Sequence, residues 1–125
     1  MRGSRMRRVD EAMRMVLSEA IATDLKDPRV GFVTVTSVKT STDLRHARVY
    51  VSVLGDAATR EASMAGLRSA HGYLQRRLAT ALTLKHTPTI DFAYDESVDH
   101  GMRISALLEE IAAGDEEPDE PAGER

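Results

Sequence analysis

Ala47, Val49, Val51 and Val53 alternate without a slip with Arg48, Tyr50 and Ser52. Successive side chains on a strand point to opposite faces, so this run buries one face and wets the other. A sheet with one apolar face must be covered, and the rest of the sequence decides by what. Phe32-Val33-Thr34-Val35-Thr36-Ser37-Val38 is rich in β-branched residues and reads as a second strand. Its alternation slips near Ser37, where Val38 falls out of phase with Val33 and Val35, which fits a bulge. The polar, turn-prone Thr40-Ser41-Thr42-Asp43-Leu44 between the two runs predicts an antiparallel hairpin. Ile90, Phe92 and Tyr94 alternate with Thr89, Asp91 and Ala93 and give a third strand, with Asp95-Glu96-Ser97 as a turn or helix start.

The cover is helical. Val9, Met13, Val16, Leu17, Ala20 and Ile21 form one apolar stripe, which predicts a helix over residues 5–25 with Ser4 as its N-cap. Pro28 and Gly31 end it. Residues 57–83 are again helical in pattern, behind an Asp56 cap, with Leu67, Ala70, Leu74, Leu78, Ala81 and Leu82 on one face. One helix of that length is unusual in a small domain, and a glycine in its middle costs about 1 kcal/mol. Two helices meeting at Ser69-Ala70-His71-Gly72 are therefore expected. Ile104, Leu107, Leu108 and Ile111 have the spacing of a short closing helix, and Met13, Met15, Met64 and Met102 are expected to fill the core or its rim. The predicted architecture is an α+β sandwich of two layers, in the order α-β-β-α-α-β plus the short C-terminal helix.

The chain of 125 residues suits one domain, taken as residues 1–113. From Gly114 onward the acidic run Asp115, Glu116, Glu117, Asp119 and Glu120 holds no large apolar group, so residues 114–125 are expected to be a disordered tail.

The net charge of −3 hides a segregation. Residues 1–89 carry 15 basic and 8 acidic side chains, a net of +7, whereas residues 90–125 carry 2 and 12, a net of −10. The basic part would attract a polyanion. Arg2, Arg5, Arg7 and Arg8 crowd the positive end of the first helix dipole, where cations are unfavourable; a bound phosphate would relieve that conflict. Arg68, Arg76 and Arg77 flank the helix junction, and Lys85 follows, so these could line a phosphate path. Each feature also has a plain reading as solvated surface.

Several chemistries are unsupported. There is no cysteine, so no disulfide, thiolate metal site or cysteine nucleophile. His46, His71, His86 and His100 are scattered. No Gly-rich phosphate loop follows a strand. Asp91, Asp95 and Asp99 could be imagined as a magnesium cluster of a nuclease, but Asp91 belongs on a strand's solvent face and the other two fit helix-start positions. No run approaches the length of a membrane span, and the basic N-terminus leads into no apolar signal core.

Longer stretches carry a resemblance. Arg8-Val9, Lys26-Asp27-Pro28-Arg29-Val30-Gly31, Asp43 to Ser52, Ser69 to Leu78, Pro88 to Phe92 and Asp95-Glu96-Ser97 resemble, in order and spacing, the ribosome-binding factor A family, from about Arg5 to Ile111. The resemblance implies a KH-like type II fold. It also implies a cytoplasmic, non-enzymatic, monomeric factor without cofactor, metal, membrane contact or small-molecule substrate. Such a factor binds the free small (30S) ribosomal subunit and assists late maturation and processing of 16S rRNA. KH domains clamp a single strand with a GxxG loop. Here Ala70-His71-Gly72 matches the family's Ala-x-Gly kink instead, so contact through basic helix faces is expected rather than that clamp. The expected RNA-binding residues are Arg5, Arg7, Arg8, Arg45, Arg68, Ser69, Ala70, His71, Gly72, Arg76, Arg77 and Lys85. Ala70 and Gly72 would set the kink, with His71 exposed at its tip. A generic KH module for single-stranded RNA and a ribonuclease using Asp91, Asp95 and Asp99 are the alternatives.

Overall fold

A computed structural model describes residues 3–97 together with Leu108 and Ile111. The chain divides into two units, Met1–Asp95 and Glu96–Arg125. In the second, Glu96, Ser97, Leu108 and Ile111 are helical; the remainder of the expected closing helix, Met102, Asp99 and the tail from residue 114 lie outside the described residues.

The first unit runs α1 (Ser4–Glu19), a π-helical turn (Ala20–Asp24), β1 (Val33–Thr40), β2 (His46–Val53), α2 (Ala57–Ser69), α3 (His71–Ala81) and β3 (Thr89–Tyr94). The sheet order is β1-β2-β3. β1 and β2 are the antiparallel hairpin the sequence predicts, while β3 lies parallel to β2. Parallel neighbours need a crossover, and α2 with α3 supplies it. The register sets Val35 opposite Val51, Val38 opposite Val49, and Val49 opposite Phe92, so one face of all three strands is apolar. The pairing shifts between Val35 and Ser37, where the phase slip predicts it. That extra residue returns Val38 to the buried face, and both valines are buried.

Met13 and Leu17 of α1, Leu67 of α2, and Leu74 and Leu78 of α3 close over this face, all without exposed surface. Each such side chain contributes roughly 1.5–3 kcal/mol of hydrophobic stabilisation. Polar clasps fix the layers. Asp10 on α1 accepts from the backbone N–H of Thr40 at 3.0 Å and also from its hydroxyl. Gln75 on α3 donates to the Pro88 carbonyl at 2.6 Å and accepts from Ile90 N–H at 3.1 Å, which seats the start of β3.

Three expectations need correction. Ser4 is the first helical residue and not the cap; Gly3 is the N-cap and has no side chain to offer as an acceptor. The two helices meet inside the expected junction, with the break at Ala70 alone (φ −88°, ψ 7°), but Gly72 lies inside α3. Its φ is ordinary, and an added Cβ there would come no closer than 3.6 Å to Arg76 Nη1, so the kink does not need a glycine at 72. Met15 is 61% exposed, on the face of α1 opposite Met13, and fills nothing.

Candidate nucleic-acid interface

α1 and α3 run antiparallel, so the domain has two ends about 16 Å apart along the 11 residues of α3. The first end gathers the start of α1, the exit of α3 and the hairpin turn. Arg5, Arg8, Val9 and Ala12 meet Leu82, Thr83 and Leu84 around a cleft of about 230 Å3, with exposed Lys85 one residue beyond. Asp10 ties α1 to the end of β1, just before the hairpin turn, and Thr89 N–H donates to the Arg45 carbonyl at 2.8 Å, which joins that turn to the start of β3. α1 opens with no acid in its first turn and no side-chain cap. Its free N–H groups and the positive dipole end therefore face solvent beside arginines. Arg7 sits around the helix and, with Arg14 and Lys39, lines a groove of about 530 Å3 between α1 and β1.

The second end is the kink. The segment after α1 folds onto it through side chains far apart in sequence. Asp24 accepts from Tyr73 Oη at 2.6 Å and from Arg77 Nε at 3.0 Å. These bonds hold the Asp24 carboxyl below its ordinary range and push the Tyr73 hydroxyl up. Asp27 takes a forked contact from Arg29, which brings its pKa down to about 2. Arg29 also donates to Ser69 Oγ at 3.1 Å, and its carbonyl accepts from Ser63 Oγ at 3.2 Å. Gly66 lets this segment close up: a Cβ there would stand 2.5 Å from Val30 Cγ2.

The expected contact residues therefore separate by environment. Among the described residues, Arg5, Arg8, Arg45, Arg68, Arg76 and Lys85 enter no ion pair. Arg5 and Arg8 share the cleft at the first end, exposed Lys85 follows one residue beyond its wall, and Arg45 is exposed in the hairpin turn. Arg76 is exposed on α3, within a turn of exposed Gly72. Arg68 lies at the C-terminal end of α2, where a cation suits the dipole, and turns toward Arg60 and Tyr94. Arg77 differs: it is half-buried and bound to Asp24, so its first service is to the fold. Ser69 is exposed but engaged with Arg29. Ala70 is half-buried at the break. His71 is not exposed at a tip; it is half-buried, with Nε2 2.8 Å from the Ile90 carbonyl oxygen, and joins the kink to β3. α3 opens on these residues without a side-chain cap, but backbone N–H groups at the junction donate to the Gly66, Leu67 and Arg68 carbonyls of α2.

Sequence reasoning missed Arg29, Tyr73 and Asp24 as parts of this region. The nearby Asp27-Pro28-Arg29 pair was legible in principle, but the partners of Arg29 and Arg77 lie 40 and 53 residues away. Of the imagined acidic cluster, the two described members are held apart. Asp91 pairs with Arg48 at 3.5 Å, and Asp95 accepts from the Thr36 hydroxyl. Four residues of strand separate the two by about 13 Å. No group of three metal-ligating side chains occurs among the described residues.

Layer order, mixed strand pairing and a one-residue helical kink where KH domains carry their loop define a KH-like α+β domain with a cationic helical side. A family model described as ribosome-binding factor A matches residues 5–108. Ribosome-binding factor A of Anaeromyxobacter dehalogenans is 50% identical over 92% of this chain and 84% of its own. That of Halothermothrix orenii is 42% identical over 98% of this chain and all of its own. Among solved structures, a putative ribosome-binding factor A of Thermotoga maritima superposes with TM-score 0.66 at 33% identity, covering 74% of this chain and 89% of that one. A Thermus thermophilus homology model, fitted into the cryo-EM map of a complex of that factor with the 30S subunit, gives TM-score 0.57 at 27% identity, over 68% and 89%. The chain belongs to the ribosome-binding factor A family.

Proposed function

We infer that this protein binds the free small ribosomal subunit through phosphates of 16S rRNA and assists late maturation and processing of that RNA in the cytoplasm, without breaking bonds itself. The observation that carries the reading is the pair Arg5 and Arg8, neither in an ion pair among the described residues, at the uncapped start of α1, with exposed Lys85 just beyond the cleft they line and Arg45 exposed in the hairpin turn. Such an end holds an RNA backbone by charge and by helix N–H groups together. Family membership supplies the ribosome, and the Thermus relative fitted on a 30S subunit supports the small subunit as partner. Arg68, Arg76, Ser69 and Gly72 form a second, weaker contact. The protein holds a premature form of the RNA and leaves when the subunit matures.

The deciding experiment compares purified small subunits, large subunits and short single-stranded RNA as ligands, and incubates the protein with precursor rRNA and magnesium. Tight binding to small subunits alone, with intact RNA, is the expected result. Equal affinity for oligonucleotides would restore the generic KH reading. Cleavage that disappears in Asp95→Asn would make the protein a nuclease.

A further inference from the structure

The cleft at the first end has a floor that phosphate contact does not use. Arg5, Arg8, Val9 and Ala12 fall at i, i+3, i+4 and i+7, one face of α1. Opposite them stand Leu82, Thr83 and Leu84. The rim is therefore two guanidinium groups outside any ion pair among the described residues, and the floor is mostly aliphatic. A phosphate needs converging donors and gains nothing from leucine or valine. An occupant complementary to both parts is apolar across its faces and carries negative charge at its margin. The volume of about 230 Å3 falls below the range of about 300–1,000 Å3 typical of sites for drug-sized ligands, so it suits a single ring system. An unstacked nucleotide has this chemistry: a flat base that packs on side chains and guanidinium planes, flanked by phosphates.

We propose that this cleft receives one unpaired nucleotide of the bound RNA. Its base lies on Ala12, Leu82 and Leu84, and Arg5 and Arg8 hold its flanking phosphates. The inference rests on the function proposed above and adds to it. Phosphate contacts fix position only, whereas a base taken from its stack reports that the RNA is locally unpaired. A factor that prefers immature subunits needs such a reading.

The test uses the full chain, purified small subunits and base-specific chemical modification of the 16S rRNA. Ala12→Leu fills the cleft without changing charge, and Leu84→Ser makes its floor polar without crowding α1. Each variant should bind small subunits about tenfold more weakly, the order expected for losing the apolar contact of one base with this floor. Each should keep the wild-type dependence of affinity on salt and unmask one rRNA base that the wild-type protein protects. If Ala12→Leu fails to fold, Leu84→Ser carries the same expectations. Wild-type affinity and an unchanged footprint in the folded variants would overturn the nucleotide site and leave the phosphate reading standing. Salt-independent binding of the wild-type protein would overturn that underlying reading itself.

Discussion

The two ends of the α1–α3 pair hold similar cations to opposite purposes. At the kink, Arg29 is spent on Asp27 and Ser69, and Arg77 on Asp24. At the other end, Arg5 and Arg8 face solvent with no ion pair among the described residues, beside a helix terminus that repels them, and exposed Lys85 lies just beyond. A cation that stabilises a fold sits next to an acid; a cation placed for a polyanion is left unsatisfied. The charge count of a segment cannot tell these apart, and only the partners can.

The comparison breaks most visibly at Gly66. Gly66→Ala drives a methyl group into Val30 and should lift the segment 26–31 off α2, at a cost of about 1–3 kcal/mol in urea unfolding. Unchanged stability would mean that the kink end is not closed as described. A smaller effect comes from splitting neighbouring arginines. Arg77→Ala should lower the thermal midpoint, though less than Gly66→Ala does, because Asp24 loses its ion pair and keeps only the hydroxyls of Tyr73 and Thr23. Arg76→Ala should leave the midpoint in place and weaken binding to small subunits. The reverse pattern would exchange their roles.

Acid sharpens the same contrast. The Arg29 guanidinium beside Asp27 holds that carboxyl at about 2, so the folded state binds its proton less readily than the unfolded chain. The pair's stabilisation is full above the ordinary carboxylate range and is lost as pH falls toward about 2. Amide exchange in segment 26–31 should accelerate over that interval, and Asp27→Asn should remove its share of the pH dependence. The smallest change is Gly72→Ala. The methyl group has room, so helix stability should rise by up to about 1 kcal/mol, measured by thermal unfolding.

The fold was largely legible because its signals are local. Alternation gave the three strands, and the phase slip before Val38 marked the bulge. The helical break falls inside the junction the sequence predicts, but not for the reason the sequence suggests. Gly72 carries a poor helix propensity and attracts attention, whereas the chain turns at Ala70, where φ and ψ leave the helical region. The π-helical turn at Ala20–Asp24 has no mark in the apolar periodicity, which runs on through Ile21. The site was legible only as a list of cations. Whether Arg77 or Arg76 is available depends on Asp24, 53 residues from Arg77 and brought there by folding. His71 carried no signal of its bond to Ile90, since that contact exists only once α3 lies on β3.

The central claim is that the unsatisfied cations at the start of α1 grip RNA backbone. Its most direct test is the slope of log affinity for small subunits against log salt concentration, for the wild-type protein and for Arg5→Gln/Arg8→Gln/Arg45→Gln/Lys85→Gln. Each lost phosphate contact should flatten the slope by about 0.7–0.9, so the variant should be shallower by about 3 with its thermal midpoint unchanged. An identical slope in the folded variant would show that these side chains touch no phosphate and would contradict the account.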